Sequence, residues 1–135
     1  MNIFRTALSK FDVLEIGRDD IDVYMKRWKL LRTPWFNIYL HEFIRGDVDN
    51  CLHDHPWRFV TLILAGGYVE HLPDGKQRHR PAGSFLYRPA KWRHRVETAG
   101  AWSLVVVGRR MRPWGFFTTR GWRAFIPGQA APLCE

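Results

Sequence analysis

Short apolar runs, rich in β-branched and aromatic residues, recur at Trp35–Phe43, Arg58–Leu64, Gly67–Leu72, Gly83–Arg88, His94–Glu97 and Ala101–Gly108. Such residues fit a pleated, half-buried surface, and strands this short with turn residues between them point to an all-β sandwich or barrel. Pro73-Asp74-Gly75 separates two of the runs. Proline presets φ and glycine accepts a positive φ, so the flanking strands are predicted to form a hairpin. Pro81-Ala82-Gly83 and Arg88-Pro89-Ala90 mark the next two connections.

The two ends are less regular. Asp20–Leu31 places apolar residues at Ile21, Tyr24, Met25, Trp28 and Leu31, a helical spacing, while Trp28-Lys29-Leu30-Leu31 reads equally as an edge strand. A short strand is the preferred reading. Arg112–Trp122 has too many glycines and prolines for a core element and is expected as an aromatic-rich strap across the barrel.

A length of 135 residues matches one domain of roughly 100–200 residues, so one domain is expected over 1–135, with its core at about 36–108. Hydrophobic residues at 46% and charged residues at 25% argue against disorder, collagen-like repeats and a coiled coil. No apolar run approaches the roughly 18–20 residues of a membrane span, and Met1–Lys10 has no signal-peptide core. A cytoplasmic protein is expected. Cys51 and Cys134 are too few for a disulfide framework, and a bridge to the far end of the chain would constrain little, so none is expected.

Charge changes the picture more. The formal net charge is +8, yet residues 1–75 hold nine Lys and Arg against eleven Asp and Glu. Residues 76–135 hold twelve against two, Glu97 and Glu135. A surface that favours arginine for solubility explains this as readily as a basic pocket for an anionic partner.

His53-Asp54-His55 puts two imidazoles at i and i+2, which on a strand share one face while Asp54 points away. A third histidine, His94, follows a Gly and a Pro near the start of another predicted strand. Imidazole sets of this kind hold one divalent ion such as Fe, Zn, Mn or Ni, and spacing does not say which.

In order along the chain, His53-Asp54-His55-Pro56-Trp57 runs through a strand to Gly66-Gly67, and Gly83 to Pro89 is followed by His94. The pair resembles the two motifs of the cupin superfamily. The likeness narrows to small single-domain cupins of bacteria and phages through His53-Asp54-His55-Pro56-Trp57, Gly66-Gly67-Tyr68-Val69-Glu70 and Trp114-Gly115-Phe116. It implies a single jelly-roll β-barrel, a double-stranded β-helix, with the metal inside on His53, His55 and His94. The glutamate that usually completes the first motif falls on Phe59 or Val60, so the resemblance implies a three-histidine site like that of the thiol and diketone dioxygenase branches. Such a site keeps its full +2 charge, which favours a small anionic substrate. A homodimer is the usual assembly.

Glu70 and His41 are the residues that could complete the shell or serve catalysis, with Tyr87 as a third proton-transfer candidate. An exposed strand glutamate and a hydrogen-bonded core histidine are the ordinary alternatives. Arg88, Arg93, Arg95 and Arg109 are the candidate substrate-binding arginines, although parity does not settle which face inward. Arg58 should face outward, and Trp57 and Phe59 should share the histidines' face. His71 and His79 flank the hairpin turn and are expected in solvent, while Trp92, Trp102, Trp114 and Trp122 are expected as packing. These readings favour a metal-dependent, oxygenase-like enzyme. A zinc or manganese isomerase or lyase, or a non-catalytic cupin that binds a small ligand as sensor or accessory protein, follows, and nucleic-acid binding ranks last.

Overall fold

A computed structural model describes residues 2–17, 23–46, 51–127 and Cys134. Met1, Glu135 and the start of the ambiguous stretch, Asp20–Asp22, lie outside the described residues. Among the described residues, a short helix α1 (Asn2–Leu8) is followed by twelve strands: β1 (Val13–Gly17), β2 (Val23–Arg32), β3 (Asn37–Phe43), β4 (Leu52–His53), β5 (Phe59–Ala65), β6 (Tyr68–His71), β7 (Gln77–Arg80), β8 (Phe85–Arg88), β9 (Arg95–Glu97), β10 (Ala101–Val107), β11 (Gly115–Thr118) and β12 (Gly121–Ala124). The predicted turn between β6 and β7 is present, with Asp74 and Gly75 both at positive φ, 65° and 72°.

One antiparallel sheet has the order β1-β2-β3-β10-β5-β8. The opposing face consists of two three-stranded sheets, β12-β11-β4 and β7-β6-β9. They meet where His53 and His94 bridge through paired backbone hydrogen bonds of 2.9 and 3.1 Å. The result is an all-β jelly roll around an internal cavity, as expected.

Alternation decides what faces the cavity. On β10, Ala101, Ser103, Val105 and Val107 are buried in turn, and the last three line the cavity. Trp102 points the other way, stacks on Trp28 with ring centroids 5.5 Å apart, and receives the edge of Phe4 from α1. Leu8, Trp28 and Leu40 form the core of that outer cluster.

The same arrangement explains the ambiguous N-terminal pattern. It is a strand, longer than expected, and both of its faces are covered. Met25 and Arg27 reach the cavity while Trp28 packs beneath α1. Burial on two faces puts apolar residues at spacings that mimic a helix.

Two expectations are corrected. The C-terminal stretch is not merely a strap: Gly115–Thr118 and Gly121–Ala124 pair as a hairpin, and Phe116 and Phe117 pair with His53 and Leu52. Gly115 permits this because a Cβ there would overlap the backbone of Arg123 and Ala124. Cys51 and Cys134 are also joined by a disulfide, with their Cα atoms 5.1 Å apart. Sequence separation alone hid this proximity.

Candidate metal centre

His53 closes β4, His55 follows two residues later, and His94 lies opposite His53 across the seam. The three ring centroids stand 4.9 to 5.2 Å apart. One nitrogen from each ring lies within 4.8 Å of the others.

Neighbouring acceptors set two of the tautomers. The Nδ1–H of His55 donates to the carbonyl of Trp92 at 3.0 Å, and the Nδ1–H of His94 donates to Oε2 of Glu70 at 2.6 Å. Each ring therefore keeps its Nε2 lone pair as a ligand, the arrangement by which outer partners orient metal-binding histidines. Burial, and then the neighbouring His94 and His53, push His55 well below the ordinary imidazole value, so it is held neutral. Three convergent imidazoles fit a borderline divalent ion.

Glu70 is fully buried, contrary to the ordinary expectation for a strand glutamate. Its Oε1 accepts from Arg80 Nε at 3.1 Å and Arg88 Nη2 at 2.6 Å. Its Oε2 accepts from Arg88 Nε at 3.1 Å and Trp92 Nε1 at 3.0 Å as well as from His94. Burial alone would raise this carboxyl, but the hydrogen bonds and charges of His94 and Arg88 outweigh it and hold the group well below the usual carboxylate range. Glu70 thus positions His94 and does not line the cavity.

Asp54, as its parity predicts, turns away from the imidazoles. It accepts from the Gly115 amide at 2.7 Å and Trp122 Nε1 at 3.1 Å, and it pairs with Arg112 at 2.7 Å. Arg112 also donates to the carbonyl of His55 at 3.2 Å. The C-terminal hairpin is thereby pinned to the His53-Asp54-His55 segment. Neither Asp54 nor Arg112 stood out in the sequence, although an acid between two ligand histidines was a usable sign.

The cavity measures about 520 Å³. Trp57, Phe59, Val105 and Val107 line it and pack with Tyr39 as one cluster, as parity predicts for the first two. His41 also lines it and accepts a hydrogen bond from Arg27 Nε at 3.0 Å through Nε2. Burial, then the charge of Arg27, hold His41 well below its ordinary value.

Several sequence candidates lie elsewhere. Tyr87 is 54% exposed on β8, outside the cavity. Arg88 is buried but engaged with Glu70 and stacked over Trp92, 4.1 Å from its centroid. Arg93 is exposed over Phe117, Arg95 pairs in register with His71, and Arg109 is exposed; none lines the cavity. Among the described residues, the arginines that do are Arg27 and Arg110. Arg58 and His79 are exposed as expected, whereas His71 bonds Glu97 at 2.6 Å. Trp92 and Trp122 do more than pack, since each donates to a buried carboxylate.

No protein-family model matches the sequence, and no curated protein matches it. Solved structures do match. A cupin-2 domain from Rhodospirillum rubrum aligns with a TM-score of 0.64 at 14% identity, covering 83% of this chain and 78% of that one. The fold is that of the cupins. The polyketide cyclase RemF from Streptomyces resistomycificus superposes on the same cupin barrel at a TM-score of 0.62 and 18% identity, covering 77% of this chain and 78% of its own. Iron(II) HppE does so at 0.59 and 18%, covering 73% of this chain, which spans only 57% of that one. In this cupin barrel, as in the sequence reading, His53, His55 and His94 are the residues placed to hold an ion.

Proposed function

We propose that this chain is a mononuclear metal-binding cupin acting on a small anionic molecule, with oxygenase-type chemistry preferred. The observation that carries the reading is the convergence of His53, His55 and His94 on one cavity, two of them oriented by acceptors behind them. A divalent ion there supplies Lewis acidity and, if it is iron, redox chemistry with oxygen. The name of iron(II) HppE supports iron among the possible ions.

The protein's own contribution is positional. Glu70 and the Trp92 carbonyl fix two imidazoles, Arg112 and Asp54 brace the loop that carries them, and the aromatic wall excludes water. Among the residues that line the cavity, Arg27 and Arg110 offer the positive charge a small anion needs.

The non-catalytic reading draws on a different observation. None of the three proton-transfer candidates stands in the cavity as an ordinary base, since Glu70 and Tyr87 lie outside it and His41 is depressed. The same fact weakens the isomerase and lyase readings. Oxygen uptake by metal-loaded protein against small thiols, diketones and keto acids separates the two. Consumption supports the enzyme, and binding without consumption supports the ligand-binding module.

The ion site has its own test. Wild-type protein purified without an affinity tag should carry about one metal per chain by elemental analysis, and His94→Ala should carry none. Stoichiometric metal in that variant would sink the assignment. Homodimer formation and cytoplasmic location belong to the same proposal. Light scattering that returned only the 16.0 kDa monomer would remove the first. The disulfide counts against the second, because such bonds are uncommon in reducing compartments.

A further inference from the structure

Three inward side chains stand abreast on the wall of the six-stranded sheet. Arg27 on β2 pairs in register with His41 on β3, and His41 pairs with Ser103 on β10. All three line the same cavity as the histidines of the opposing face. Ser103 is 2% exposed and His41 is 8% exposed, so this is an interior polar row; Glu15 on β1 and Thr61 on β5 are further polar residues of the same sheet that line the cavity.

Among the described residues, the charge on that row makes no salt bridge, although Glu15 lines the same cavity. Every salt bridge to Glu70, Asp54 and Glu97 is made by other residues, and Arg27 forms none among the described residues. Its guanidinium spends Nε–H on His41 and lies over the rings of Tyr39 and Trp57, 4.7 and 5.7 Å from their centroids. The two terminal nitrogens remain. A cation removed from water is costly unless compensated, and stacking on rings compensates only in part. Arg27 is therefore held ready by His41 and the aromatic faces for a counter-ion that no described residue provides through a salt bridge.

We propose that Arg27, backed by His41 in the same row, seats the carboxylate of the cavity's ligand, whose remaining part faces the three-histidine site. The proposal rests on reading the cavity as the site of a small anion and names that anion's class. The two free guanidinium nitrogens form a planar fork that matches a carboxylate in shape and in single charge. A phosphate dianion would want a second cation in this row, where Arg27 is the one arginine; Arg110, the other described arginine on the cavity, is exposed. The hydroxyl of Ser103, beyond His41 in the row, adds a donor on the same wall, and about 520 Å³ is the size of a small-molecule pocket.

Benzoate and its neutral analogue benzamide are the probes, titrated calorimetrically into chelator-treated and zinc-loaded protein. Wild type should prefer benzoate by tenfold or more in both states. Arg27→Gln should bring the preference below twofold while still binding one zinc, and His53→Ala should lose zinc yet keep the preference. If Arg27→Gln does not fold, Arg27→Lys carries the test, because it keeps the charge but loses the fork and should drop the preference several-fold. An undiminished preference in the folded Arg27 variant, or a preference that vanishes on removing zinc, overturns the proposal. Zinc binding without any benzoate preference also overturns it and leaves the metal reading intact. An Arg27-dependent preference without zinc binding supports it and defeats the metal reading instead.

Discussion

At the scale of single residues, the centre depends on partners one step removed from the ligands. Glu70→Gln keeps the shape but removes the charge that His94 and two arginines face. It should weaken zinc binding by about 10- to 100-fold, as loss of such outer partners does. It should also destabilise the fold by about 3–5 kcal/mol, because Arg88 is left buried without its anion. Competition titration and urea denaturation check the two effects, and unchanged zinc affinity would deny Glu70 its positioning role. His41 sets a pH dependence. Its folded value lies below the ordinary one, so the folded state stays neutral while the unfolded chain gains a proton. The stability of the metal-free protein is then full above pH 6.5 or so and falls as pH drops, by about 1.4 kcal/mol per pH unit for each such histidine, His55 included. The depressed Glu70 adds a loss in the same direction as pH falls below its ordinary value. Unfolding curves at pH 7.5, 6.5 and 5.5 test this, and His41→Asn should flatten the slope. The ligand histidines were legible as residues because imidazoles at i, i+2 and beyond a Gly-Pro strand entry form a pattern. Arg27 was not, since a lone arginine in an ambiguous strand carries no mark of which way it points.

At the scale of elements, the predicted strands from Trp35 to Gly108 match β3, β5, β6, β8, β9 and β10 closely, because alternation and turn residues act locally. Elements whose pairing is decided at a distance were harder to read. β4 is two residues long, and β11 exists because Gly115 lets β12 approach and because Asp54 grips the Gly115 amide. Gly115→Ala should therefore loosen the hairpin and, through Asp54, the His53-Asp54-His55 segment. Weaker zinc binding together with a lower Tm is the expected readout. The disulfide ties residues 83 apart, and disulfides typically stabilise by about 2–4 kcal/mol. Cys134→Ser should lower stability by that amount in denaturant titrations without changing zinc stoichiometry.

At the scale of the whole molecule, the order of the two histidine motifs announced the barrel, whereas the residues facing the ligand depended on how two sheets close over one another. Zinc at one hundred times its dissociation constant should stabilise the folded state by about 2.7 kcal/mol and raise Tm by about 10 °C. His55→Ala should show no such rise. The seam between the two three-stranded sheets also has a dynamic consequence. Its bridge is one pair of backbone hydrogen bonds between His53 and His94, made by the residues that present the imidazoles. An ion that grips those rings staples the same seam from the side-chain direction. The amide protons of His53 and His94 should then exchange with deuterium quickly in metal-free protein and slowly once it is loaded, so two backbone positions would report occupancy without any substrate.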